Sequence, residues 1–162
     1  MLKKILFTFL TILMVYSTCV VAYRIFEPRD NQSTSDTTSM LAYDSLKSYV
    51  KDSSSNIHYF LFYSALNNNS IYLKDTILTI VESDINKSLS NIIEVVDITE
   101  LDQTMETKRL SEDWQVSSYP ALVSVSNDNG EIIINNKLEW TNEKAITTTD
   151  VEEWLKLNGI TE

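Results

Sequence analysis

The chain has 162 residues, 43% of them hydrophobic, with 2 glycines, 2 prolines and a formal charge of -10. That leaves room for one ordinary domain plus an extension, with enough apolar residues for a packed core and too little glycine and proline for a low-complexity chain. Lys3, Lys4, Arg24 and Arg29 against Glu27 and Asp30 put residues 1–30 at +2 and the remainder at -12, a balance that repels nucleic acid and anionic headgroups.

Ile5 through Tyr23 carries no charge, with Lys3-Lys4 before it and Arg24 behind it. The run is just long enough to span the hydrocarbon core, so residues 1–26 read as an N-terminal membrane segment with one transmembrane helix over 5–23. Two alternatives stay open: a cleaved signal, with Val20-Val21-Ala22 as its site, giving a secreted protein, and a lipoprotein acylated at Cys19. Lys3 and Lys4 favour an inside N-terminus and an extracytoplasmic domain, a single-pass cell-membrane arrangement that Arg24 and Arg29 oppose. Cys19 is the only cysteine, so neither an intrachain disulfide nor a cysteine zinc site can form. Residues 27–38 hold almost no apolar side chain and read as a flexible linker.

Residues 39–162 form the expected domain. Met40, Tyr43, Leu46 and Val50 make the stripe of a helix over 39–51. After a turn cluster at 52–56, Ile57–Tyr63 is a continuous apolar run, suited to a central strand buried on both faces. His58, the only histidine, falls inside that strand and reads as structural; no Ser-His-Asp pattern surrounds it. A polar loop at 64–69 leads to a helix over 70–87 striped by Leu73, Ile77, Val81 and Ile85, with Leu78 and Ile80 beside them. Asn67 or Ser70 would cap it.

A strand over 92–98 follows, then a loop and a helix over 99–114 that presents Met105, Leu110 and Trp114. Asp97, Glu100, Asp102, Glu106, Glu112 and Asp113 read as a solvated acidic face, since a calcium loop needs closer, alternating oxygen ligands. Pro120 cannot donate a ladder hydrogen bond and belongs at or before the start of a strand running to Ser126. Asp128-Asn129-Gly130 is a hairpin turn, and residues 131–135 return. Thr149 and Glu152 have capping-box spacing for a last helix, which carries Val151, Trp154 and Leu155 and stops at Gly159. The tryptophans 114, 140 and 154 read as core or rim packing. Strands alternating with helices call for parallel pairing through crossovers, with the hairpin as an antiparallel edge.

The strand–loop–helix at 57–87, the Trp114–Val125 stretch and the closing hairpin and helix together resemble the thioredoxin-like superfamily over residues 39–160. Among its members the chain is similar to small extracytoplasmic proteins of Gram-positive bacteria, including bacteriocin transport accessory proteins. The resemblance implies an α/β three-layer fold with a central mixed sheet flanked by helices. It also implies a cis bond at Pro120, facing the start of the second helix. The family's Cys-x-x-Cys falls on Asn67-Asn68-Asn69-Ser70 and its buried acid on Leu61, so the thiolate that disulfide exchange needs is missing. The expectation is a redox-inactive binding or accessory protein at the membrane, without cofactor, metal or catalytic residues and without nucleic acid. It would take a protein or peptide partner by strand addition at Asn67, Asn68, Asn69, Ser70, Ser118, Tyr119 and Pro120. The alternative is an oxidoreductase-related protein that acts with a partner's cysteines.

Overall fold

The structure, a computed structural model, describes residues 40–53 and 57–162. The membrane run, Cys19 and the linker lie outside the described residues, among which no helix is long and apolar enough to cross a membrane. Leu41–Ala42 forms a two-residue strand, β1, paired in parallel with Val96 and Asp97. A 3-10 turn at Tyr43–Ser45 then leads into helix α1, Leu46–Asp52. The expected helix over 39–51 is therefore corrected at its start, because pairing with the sheet edge takes Leu41 and Ala42 out of it. Tyr43, Leu46 and Val50 are buried as the stripe requires, while Met40 is exposed.

Strand β2, Ile57–Tyr63, pairs with β3, Ile93–Asp97, in parallel and with β4, Ala121–Asp128, antiparallel. β5, Glu131–Glu139, closes the far edge, so the sheet runs β1-β3-β2-β4-β5. Between β2 and β3 lies α2, which starts as Asn68–Tyr72, passes through a π-helical turn at Leu73–Ile77 and ends as Leu78–Ile85. Between β3 and β4 the expected single helix is two, α3 at Thr99–Gln103 and α4 at Lys108–Trp114. Met105 stands between them at positive φ and is exposed, contrary to the expected stripe. Parallel pairing of the 121–126 strand is corrected as well. Ala121 pairs with Phe62 at the C-terminal end of β2, so β4 starts where β2 finishes and must run back along it.

Phe60 and Phe62 pack on one face of the sheet with Trp114, Leu110, Leu46 and Val50, beneath α1 and α4. Leu61 points to the other face, among Leu73, Val81, Val151, Trp154 and Leu155 of α2 and α5 (Thr148–Leu157). This alternation explains the apolar run of β2: with both faces covered, its central Phe60, Leu61 and Phe62 are all fully buried, while Ile57 at its start is exposed. Of the α2 stripe, Leu73, Ile77, Leu78 and Val81 are buried, whereas Ile80 is exposed. The hairpin turns at Asn129 and Gly130, both at positive φ as a two-residue hairpin loop of this hand requires. β5 runs four residues further than expected, past an irregularity beside Ser124 and Val125. The cap of α5 is Thr147 with Asp150, not Thr149 with Glu152.

Candidate functional site

The strand register gathers three connections at one end of the sheet. Tyr63 pairs with Asp97, and the Ile98 N–H donates to the Tyr63 carbonyl at 2.8 Å. Phe62 pairs with Ala121, and Ala121 with Glu139. The loop after β2, the start of α3, the Ser118–Pro120 segment and Trp140 are therefore neighbours. Sequence reasoning brought Asn67–Ser70 and Ser118–Pro120 to the same end of the fold, and the register places them there.

The loop after β2 is fixed by its own polar groups. Asn67 Oδ1 accepts from the N–H groups of Asn69 (2.8 Å) and Ser70 (3.2 Å), which makes Asn67 the cap of α2. Helix-start amides of this kind lower a thiolate's pKa where a cysteine stands; here a carboxamide occupies them. Asn68 and Asn69 are exposed, but Ser70 is fully buried, with its Oγ accepting from the Ser64 N–H at 3.3 Å. Leu61, where the resemblance would put a buried acid, packs in the core.

The Ser118–Pro120 segment is held from both sides. Glu139 Oε2 accepts from the N–H groups of Ser117 (3.0 Å) and Ser118 (2.9 Å), while its Oε1 pairs with Lys137 at 2.6 Å. The Ser118 hydroxyl donates to the Trp140 carbonyl, and the Trp140 N–H donates to the Pro120 carbonyl at 2.9 Å. The Tyr119–Pro120 bond is cis and Pro120 is buried. Between these fixed groups, no hydrogen bond among the described residues uses the Tyr119 N–H or carbonyl. Glu139 thus takes the Ser118 N–H, and the Tyr119 peptide groups are the open ones.

Asp102 joins the two loops. Its Oδ2 accepts from Ser64 Oγ at 2.5 Å and its Oδ1 from the Tyr119 hydroxyl at 2.7 Å. Burial, and then this bond, push the Tyr119 phenol up to about 12. Thr99, one helical turn before Asp102, accepts the Ala65 N–H on its Oγ1 at 2.8 Å. The acidic run is thus not one solvated face. Asp97, Glu100, Glu106 and Glu112 are exposed, Asp113 holds Tyr43 and Lys47, and Asp102 is a tie between loops. Asp102, Ser64, Thr99 and Glu139 were not among the expected site residues. Nothing in their sequence spacing marks them, because their partners come from loops distant along the chain.

His58 lies away from this end of the sheet. It is buried, with Nδ1 3.0 Å from Glu94 Oε1 and its ring stacked on Phe60.

No protein-family model and no curated protein matches the chain. Among solved structures it is similar to thioredoxins of low identity. The thioredoxin of Plasmodium falciparum is 16% identical over 71% of this chain and 80% of that one, with a TM-score of 0.46. The thioredoxin of Trichomonas vaginalis is 18% identical over 71% and 96%, at 0.41, and that of Thermus thermophilus 17% over 75% and 87%, at 0.44. The fold is a mixed five-stranded sheet between two helical layers, which is the α/β three-layer architecture that the thioredoxin-like resemblance implies, and this rests on strand order and register rather than on those scores.

Proposed function

We infer that the protein is a membrane-tethered, extracytoplasmic binding or accessory module without thiol–disulfide activity. Its partner is a protein or peptide that adds an extended segment to the Tyr119 peptide group. One observation carries this reading: the Tyr119 N–H and carbonyl stand open among the described residues at a sheet end where Asp102 and Glu139 tie the neighbouring loops. A rigid site with one unpaired donor and one unpaired acceptor suits strand addition. Asn67 and Ser70 at the helix start offer no thiolate, and the uncharged run at 5–23 supports the tether.

The alternative, an oxidoreductase-related protein using a partner's cysteines, has only the fold behind it. The test has two readings on one preparation. Carbonate-washed membranes should retain the full chain. The chain purified from them should reduce insulin disulfides no faster than a buffer blank. Turnover above the blank that survives Cys19→Ser would sink the non-enzymatic reading, and release of the intact chain by the wash would sink the tether.

A further inference from the structure

The end of the sheet that carries Tyr119 has two unlike sides. On the β5 side, the ring of Trp140 meets Tyr72 edge to face, with centroids 6.2 Å apart at 90°. Tyr72 is 49% exposed, and Leu66, on the loop after β2, is 59% exposed. On the β3 side stand Asp97, Glu100 and Asp102. Among the described residues none of these three is within ion-pair distance of a cation. Asp97 accepts the Thr99 N–H, Asp102 accepts two hydroxyls, and the Glu100 carboxylate accepts no hydrogen bond among the described residues. Asp97 and Glu100 also line a cleft of about 370 Å³ with Ala42, Leu101 and Arg109, whose guanidinium is taken up by Asp44 and Glu106. The strand order β3-β2-β4-β5 places the open Tyr119 peptide between the acidic side and the aromatic side.

Resting on the reading of Tyr119 as a strand-addition site, we propose the chemistry of its partner: an extended peptide with an apolar side chain and a basic one about four residues apart. The apolar side chain covers Tyr72 and Trp140. The peptide backbone pairs with Tyr119. The basic side chain meets Asp97, Glu100 and Asp102. The spacing is that of a peptide crossing the strand ends from β3 to β5 past Tyr119: three strand intervals, about 14 Å at about 4.8 Å each, for an extended chain that rises about 3.3 Å per residue.

Charge selects this occupant. Exposed aromatic rings accept many apolar groups, but three carboxylates without cations favour a basic neighbour and repel an acidic one. A merely solvated acidic face would stand apart from the exposed rings and the open peptide. Here Asp102 is bonded to the Tyr119 side chain itself, at 2.7 Å.

The test uses the full chain in nonionic detergent and synthetic peptides. Trp114 and Trp154 are 1% and 4% exposed, so the half-buried Trp140 dominates any binding-induced change in emission. A peptide with leucine and arginine about four residues apart, in either order, should shift that emission. The same peptide with glutamate for arginine should bind about tenfold more weakly, and the gap should narrow at high salt as the charges are screened. Glu100→Gln, an exposed change that breaks no bond among the described residues, should weaken the arginine peptide alone. Equal binding of the two peptides would overturn the charge inference while leaving the groove standing. Equal binding when leucine and arginine are adjacent would overturn the spacing. Binding by neither peptide would overturn the inference together with the strand-addition reading.

Discussion

Tyr119 and Asp102 are the pair on which the site turns. Burial and the bond to Asp102 raise the Tyr119 phenol from 10.0 to about 12, so the native state prefers the protonated form. The stabilisation is fully present below pH 10 and is lost as pH rises through about 12. Ultraviolet titration of the phenols should show two tyrosines near 12, Tyr49 and Tyr119, and in Asp102→Asn only one of them should fall part of the way back toward 10. It should not fall all the way, because burial remains. An unchanged titration in that variant would remove Asp102 from its assigned place. At this scale the sequence was half legible. Asn67 ahead of a helical stripe reads as a cap because its side chain mimics the missing turn. Asp102 could not be told from Asp97, Glu100 or Glu106, since only the folded loops bring Ser64 and Tyr119 to it.

The ends of elements were the harder part to read. Thr147-Thr148-Thr149 offers three caps for α5, and spacing alone pairs Thr149 with Glu152 as well as Thr147 with Asp150. The structure uses Thr147 because Ile146, just before it, and Val151, at the fourth helical position, are both buried in the same core. That hydrophobic staple fixes where the chain enters the helix. Lys144 first, and then the bonds from Thr147, hold the Asp150 carboxyl down to about 2. Its contribution is therefore present above the ordinary value of 3.8 and lost as pH falls through about 2. Thr147→Ala should cost about 1 kcal/mol in urea unfolding near neutral pH, while Thr149→Ala should cost only a few tenths. The reverse order would restore the Thr149 cap. The irregularity beside Ser124 and Val125 was equally hidden. Ile132 and Ile134 pack on one face of the sheet and Leu138 on the other, so no single alternation runs through β5.

For the whole molecule, layer order was legible because β2 is apolar throughout and α2 is striped at helical spacing. The missing piece was β1, two residues whose strand character comes only from pairing with Val96 and Asp97. Besides the open Tyr119 groups, an extended partner could add along the nine-residue edge of β5. Amide hydrogen exchange on the full chain, with and without the saturating leucine–arginine peptide, separates them directly. The strand-addition account predicts new protection at the Tyr119 amide, with the Ile132, Ile133 and Ile134 amides unchanged. Protection along β5 with none at Tyr119, from a peptide that binds, would contradict it.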